Sequence, residues 1–184
     1  MSRLIRILFL GSVCLMAGCS GLRLEPEAVA KLILLSPADG PDSVLLKQAV
    51  VMQSRGENLK FIVVSRFDRK RTRLVALMPT GQSLTTLDYD GQRLQQTVGI
   101  PVELPGEAIL ATIQFSLWPT PVLNRHYSSE AGWGVAIEAN RRQLWHHGAL
   151  VLDIVYDENI TRVWNYPEEY QVTIQTFDKR DLIQ

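Results

Sequence analysis

The chain has 184 residues, 46% hydrophobic and 21% charged, with 19 basic and 19 acidic side chains and a formal charge of zero. That is an ordinary globular composition, consistent with one domain. It is long enough to bury roughly two thirds of the surface its unfolded chain exposes, and nothing in its balanced charge points to nucleic acid.

The N-terminus is an address rather than part of the fold. Arg3 and Arg6 precede a largely apolar run over residues 4–15, which is too short to span a bilayer. The run ends in Leu15-Met16-Ala17-Gly18-Cys19, which resembles a bacterial lipobox. The resemblance implies cleavage before Cys19 and acylation of that cysteine, and Ser20 after it implies sorting to the outer membrane, facing the periplasm. Residues 1–18 are then a signal peptide, 19–42 a lipidated tether and entry segment, and 43–184 a single β domain. Losing Arg3 and Arg6 leaves a small acidic excess. With Cys14 removed and Cys19 lipidated, no thiol is left for a disulfide.

Pro26, Pro37, Gly40 and Pro41 punctuate the entry segment. Within it, residues 27–35 fit either a short helix, with Val29, Leu32 and Ile33 on one side, or a strand through 32–35. Strand-forming runs follow at 44–54, 59–67, 73–78, 83–89 and 93–98. Turn-forming groups at 54–58, 68–71 and 79–81 separate them, and Asp90-Gly91 is a hairpin signal. The stretch 105–118 breaks the pattern. Ile109, Leu110, Ile113, Leu117 and Trp118 recur at helical spacing on one face. Pro105 and Glu107 suit a first turn, and Pro119 and Pro121 are expected to stop the helix. A polar connection is expected over 123–132. Strands resume at 133–139, 143–146, 149–156, 161–166 and 170–177.

Alternation assigns the wet and dry faces. Leu59, Phe61, Val63, Ser65 and Phe67 share one side of the second strand, and Leu74, Ala76 and Met78 one side of the third. Ten such strands make a sheet large enough to curl. The expected fold is mainly β, a curved antiparallel sheet or incomplete barrel with a helical lid or plug. The stripe Ile109, Ile113 and Leu117 is expected to face its concave side, with Trp118 near the mouth.

Four stretches together resemble a known family: Ile109-Leu110-Ala111, Leu117-Trp118-Pro119, Leu87-Asp88-Tyr89-Asp90-Gly91 with Gly81-Gln82 upstream, and Ile154-Val155-Tyr156. They are similar to a lipoprotein family encoded within aryl-polyene biosynthesis clusters, which in turn is similar to the periplasmic lipoprotein carrier LolA and its outer-membrane receptor LolB. The resemblance implies an apolar interior that holds acyl chains. LolB-like receptors also carry an apolar loop tip, which the turns at 54–58 and 68–71 lack.

The first candidate site is therefore the apolar interior: Met52, Phe61, Val63, Leu74, Ala76, Met78, Ile109, Ile113, Leu117, Trp118, Trp133, Val135, Ile137, Ile154 and Ile174. These residues line either a cargo cavity or a filled core. A basic group, Arg66, Arg69, Lys70, Arg71 and Arg73, either meets head groups or an acidic partner or forms a solvated tip; Arg69, Lys70 and Arg71 are its contact candidates. His146 and His147, adjacent on a strand, are expected to point to opposite faces, and His126 to lie in a loop, so no metal site is expected. Ser128, Ser129 and Glu130 near His126 lack a nucleophile elbow. Asp153, in an apolar strand, is expected to face the wet side or to pair with an arginine.

The expected function is non-catalytic binding or transfer of an acyl- or polyene-type cargo, without a cofactor. The protein would be membrane-attached through the Cys19 lipid, with a periplasmic carrier or exporter as candidate protein partner. The alternative is a structural or assembly lipoprotein that docks an export or envelope protein.

Overall fold

The computed structural model describes residues 31–54, 56–100 and 104–182. Cys19, the signal segment and positions 27–30 lie outside the described residues. Five strands open the fold: β1 (Val44–Ser54), β2 (Glu57–Phe67), β3 (Thr72–Leu77), β4 (Ser83–Tyr89) and β5 (Leu94–Val98). Two helices follow, α1 (Gly106–Leu117) and α2 (Thr120–His126). The second set of strands is β6 (Trp133–Ile137), β7 (Arg141–His146), β8 (Ala149–Asp157), β9 (Ile160–Asn165) and β10 (Tyr170–Asp181).

Among the described residues all ten strands form one antiparallel sheet in the order β5-β4-β3-β2-β1-β10-β9-β8-β7-β6. Each half is a local meander. The two are joined where β1 pairs with β10, from Val44↔Asp181 to Ser54↔Tyr170. The expected curved, open antiparallel sheet is thus the observed one, and the helices lie in sequence between its two edge strands. The predicted dry face of β2 and β3 is also observed. Val63, Ser65, Phe67, Thr72, Leu74 and Ala76 are buried, while Arg66 and Arg73 between them are exposed.

The helical region differs from expectation in two ways. Residues 123–132 are not simply a connection, because α2 runs through His126 and a 3-10 turn spans Ser129–Ala131. Pro121 begins a helix rather than only ending one: in a first turn its missing N–H costs nothing, and Val122 and Leu123 are buried. His126 is accordingly the last residue of α2 and not a loop residue.

The buried face of α1 is also shifted. Leu110, Ala111, Gln114 and Phe115 are buried, while Ile109, Ile113 and Leu117 are half-buried. The shift is one position, about 100° around the helix. Its cause is the incoming chain: residues 31–36 adopt neither helix nor strand but lie along α1. Gln114 Nε2 donates to Leu35 O at 2.7 Å, and its Oε1 accepts from Leu35 N at 2.7 Å. Trp118 Nε1 donates to Ser36 O at 3.0 Å. The Tyr127 hydroxyl accepts from Ile33 N and donates to Ile33 O, both at 3.2 Å. A glutamine on the dry face of a helix breaks the apolar rule, so periodicity placed that face elsewhere.

Gln114→Leu is expected to strand the buried N–H and C=O of Leu35, at about 1–3 kcal/mol for each unpaired group. Trp118→Ala is expected to cost about 3–5 kcal/mol through lost burial and a cavity. Urea denaturation of the two variants beside the parent checks both.

Candidate functional site

Antiparallel register sorts the turns to two ends of the sheet. The turns before β2, after β3, before β8 and between β9 and β10 share one end with the N-terminus of α1. The β2–β3, β4–β5, β6–β7 and β8–β9 turns share the other. Helix α1 runs between them. Glu107 in its first turn pairs with Lys31 at 3.0 Å, and Trp118 at its far end packs edge-on against Phe67, the last residue of β2, at 5.9 Å.

The far end is closed. Trp118, Phe115 and Leu35 are fully buried and Phe67 is 1% exposed. Gly40 lies flat on the indole: a Cβ there would stand 2.5 Å from Trp118 Cζ2, so only glycine permits the approach. Arg142 Nη1 donates to Phe115 O at 2.9 Å and to Trp118 O at 2.8 Å, and the Tyr156 hydroxyl donates to Ser116 O at 2.8 Å. These bonds satisfy carbonyls that the end of α1 leaves orphaned, with a cation at the negative end of the helix dipole. Trp118 therefore does not stand near a mouth, as expected from sequence; it plugs the closed end.

The near end is open. Around the core of the β1–β5 half, Leu59, Phe61, Met78, Ile109 and Val172 pack against the buried residues but stay half-exposed. Two grooves flank this opening. One of about 610 Å³ lies between the β1–β2 and β9–β10 turns, against Trp164, Tyr166 and Tyr170. The other, about 530 Å³, lies at the start of α1, between Leu104, Gln96, Lys31 and Glu168. A buried polar triad stands beside both. Asn165 Nδ2 donates to the Tyr170 hydroxyl at 3.1 Å, which also pairs with Thr112 Oγ1 at 3.1 Å. Burial holds the Tyr170 phenol above its ordinary pKa.

The predicted interior residues divide between two packed clusters. Val63, Leu74 and Ala76 are buried in one, with Phe61, Met78 and Ile109 packed against it and Met52 buried in β1, while Ile113 and Ile174 pack against both. Leu117, Trp118, Trp133, Val135, Ile137 and Ile154 belong instead to the cluster against β6–β9. Ile154 there is fully buried, and the Trp133 ring meets Tyr127 edge-to-face at 5.1 Å. Leu59, Leu104 and Val172 at the opening were missed. The signal for Leu59 and Val172 was present, since each shares a strand face with a residue that was chosen.

The remaining candidates resolve into local structure. Arg69 pairs with Asp42 at 2.6 Å, Arg66 with Asp68 at 3.7 Å, and Arg71 and Arg73 share Asp88 at 3.3 and 3.9 Å. The hydrogen bond and charge of Arg69 hold the Asp42 carboxyl below its usual range. The basic tip is thus largely neutralised by its own neighbours, with Lys70 left exposed. Asp153 meets Arg141 in a two-pronged pair at 2.8 and 2.6 Å. His146 and His147 do not point apart. The strand ends at His146, His147 takes a left-handed turn conformation at φ 48°, and their rings lie 4.2 Å apart. Among the described residues no group of three or more His, Cys, Asp or Glu converges to hold a metal. His126 ends α2, Ser128 caps the following 3-10 turn and Ser129 begins it.

Burial pushes the Tyr127 phenol up to about 12, partly opposed by its bond to Ile33. An unfolded tyrosine ionises near pH 10. Stability from this group is therefore complete below about pH 10 and falls as the pH climbs towards about 12. Urea midpoints across that window are expected to drop, and Tyr127→Phe to lessen the slope.

Comparison with known proteins places the chain. No curated protein matches it. Among solved structures, one provisionally described as an outer membrane lipoprotein-sorting protein domain, from Vibrio parahaemolyticus, aligns at 9% identity and a TM-score of 0.43, covering 76% of this chain and 85% of that one. A DUF1329 family protein from Desulfovibrio piger aligns at 11% identity and a TM-score of 0.30, covering 78% and 87%. Both likenesses are remote. The profile of DUF3261, a family described as protein of unknown function, matches residues 45–178, nearly the whole of the sheet and both helices. The chain belongs to the DUF3261 family.

Proposed function

We propose that this protein is an outer-membrane lipoprotein, anchored through Cys19 at the periplasmic face, that binds or transfers an apolar acyl- or polyene-type chain without catalysis. The observation that carries the reading is the asymmetry of the interior. Trp118, Phe67, Phe115 and Leu35 seal one end, while Leu59, Phe61, Met78, Ile109 and Val172 leave half-exposed apolar surface at the other. A chain entering beside α1 would cover that surface, and each buried CH₂ would contribute about 0.8 kcal/mol. Ile109 and Ile113 then border the cargo, and the fully buried face of α1 holds the helix in place.

The second reading, an assembly lipoprotein that docks an envelope partner, has its own support. On the outer face of β1–β3, Ala49, Ile62 and Leu77 stand in one cross-strand row, beside Val64 and Val75 in the next. All five are half-exposed. Contiguous apolar surface outside a core marks interaction sites.

Mass spectrometry of lipid extracted from the purified full-length protein decides between them. Non-covalent lipid is expected in near-stoichiometric amount, and Phe61→Asp and Ile109→Asp are expected to reduce it several-fold while circular dichroism stays unchanged. Lipid-free protein would overturn the cargo reading. Cys19→Ala is expected to abolish acylation and release the protein from the membrane fraction.

A further inference from the structure

The open end carries more than a mouth. Among the described residues three large hydrophobic side chains are prominently exposed: Val98 at 51%, Tyr166 at 49% and Phe177 at 57%. Phe177 is explained locally. It is the extra residue of the bulge in β10, where Lys47 pairs with Asp178 and Gln48 with Thr176. Val98 and Tyr166 have no such cause, and both stand at the open end, one ending β5 and the other in the β9–β10 turn. Trp164 beside Tyr166 is half-exposed. Tryptophan and tyrosine at a rim suit a bilayer interface, where one part of the ring is wet and the other apolar.

The path of the chain points the same way. Lys31, where the described chain begins, is at the open end beside Glu107. The chain therefore enters the fold at the same end as Val98 and Tyr166.

Charge selects the kind of surface. Among the described residues that line the two grooves, Glu57, Glu107, Glu168 and Glu169 stand against Lys31. That balance opposes anionic lipid, while the groove between Glu57, Glu169, Trp164 and Tyr166 offers carboxylates and aromatic faces to an ammonium group. We infer that the open end of the sheet, rimmed by Val98, Trp164 and Tyr166, is the face on which this protein rests on a zwitterionic phospholipid surface. The inference rests on Cys19 as the anchor, but not on the interior as a cargo site.

The test uses the full-length protein, floated with vesicles of phosphatidylethanolamine and phosphatidylcholine. Both native cysteines precede Lys31 in the chain, and in the proposed lipoprotein Cys14 is cleaved off and Cys19 acylated, so a single introduced thiol can carry an environment-sensitive fluorophore. Val98→Cys and Tyr166→Cys label the open end, Lys70→Cys the opposite end, and Arg73→Cys the outer face of β3; all four positions are exposed. Quenchers at head-group depth are expected to dim the labels at 98 and 166 several-fold more than those at 70 and 73. Adding phosphatidylglycerol is expected to leave the pattern unchanged. Quenching at 70 or 73 equal to or above that at the open end, an increase driven by phosphatidylglycerol, no quenching at any position, or failure of the protein to float would each overturn the inference. Loss of bound cargo lipid with the quenching pattern intact would fault only the cargo reading.

Discussion

Residues 31–36 are the constraint on which the rest depends. This segment enters the protein with Leu32 and Leu35 buried but belongs to no strand. Buried backbone groups need partners, and here side chains supply them: Gln114 reads both polar groups of Leu35, Tyr127 both of Ile33, and Trp118 the carbonyl of Ser36. The segment is thereby pinned like a strand whose neighbour is a pair of helices. In return it fixes the rotation of α1 and the docking of α2, since those three donors and acceptors must face it together.

The asymmetry of the interior follows. Once Gln114 and Trp118 turn towards the incoming chain, Phe115 and Trp118 meet Phe67, Gly40 and Leu35, and that end fills to native density. Arg142 and Tyr156 close the helix terminus above it. The stripe Ile109, Ile113 and Leu117 is left half-covered. At the other end Phe61 and aliphatic side chains of β2, β3 and β10 stand partly exposed around the start of α1, without a plug comparable to Trp118. Closure and opening are two consequences of one helix rotation.

Charge is handled locally throughout. Arginines at the tips of β2 and β3 meet Asp42, Asp68 and Asp88, and Arg141 meets Asp153 within the sheet. Exposed pairs of this kind contribute little stability. Their effect is to remove what looked in the sequence like a basic docking tip. The apolar outer row of β1–β3 and the aromatic rim of the open end, with its acidic balance, are then the surfaces that still call for a partner.

Local pattern by itself determined the ten strands to within a few residues, the dry face of β2 and β3, the extent of α1 and the curved antiparallel class, because each is written in windows of about ten residues. Only the tertiary structure decided which side of α1 is buried, that Pro121 opens a second helix, that His146 and His147 lie together, and that Trp118 closes the interior instead of guarding its mouth. The physical reason is separation in the chain. Gln114 meets Leu35 across 79 residues and Trp118 meets Ser36 across 82, and β1 pairs with a strand at the far end of the domain. A glutamine reads as wet until the backbone that it satisfies comes beside it, and a half-exposed isoleucine reads as core until the helix has been turned away from the interior.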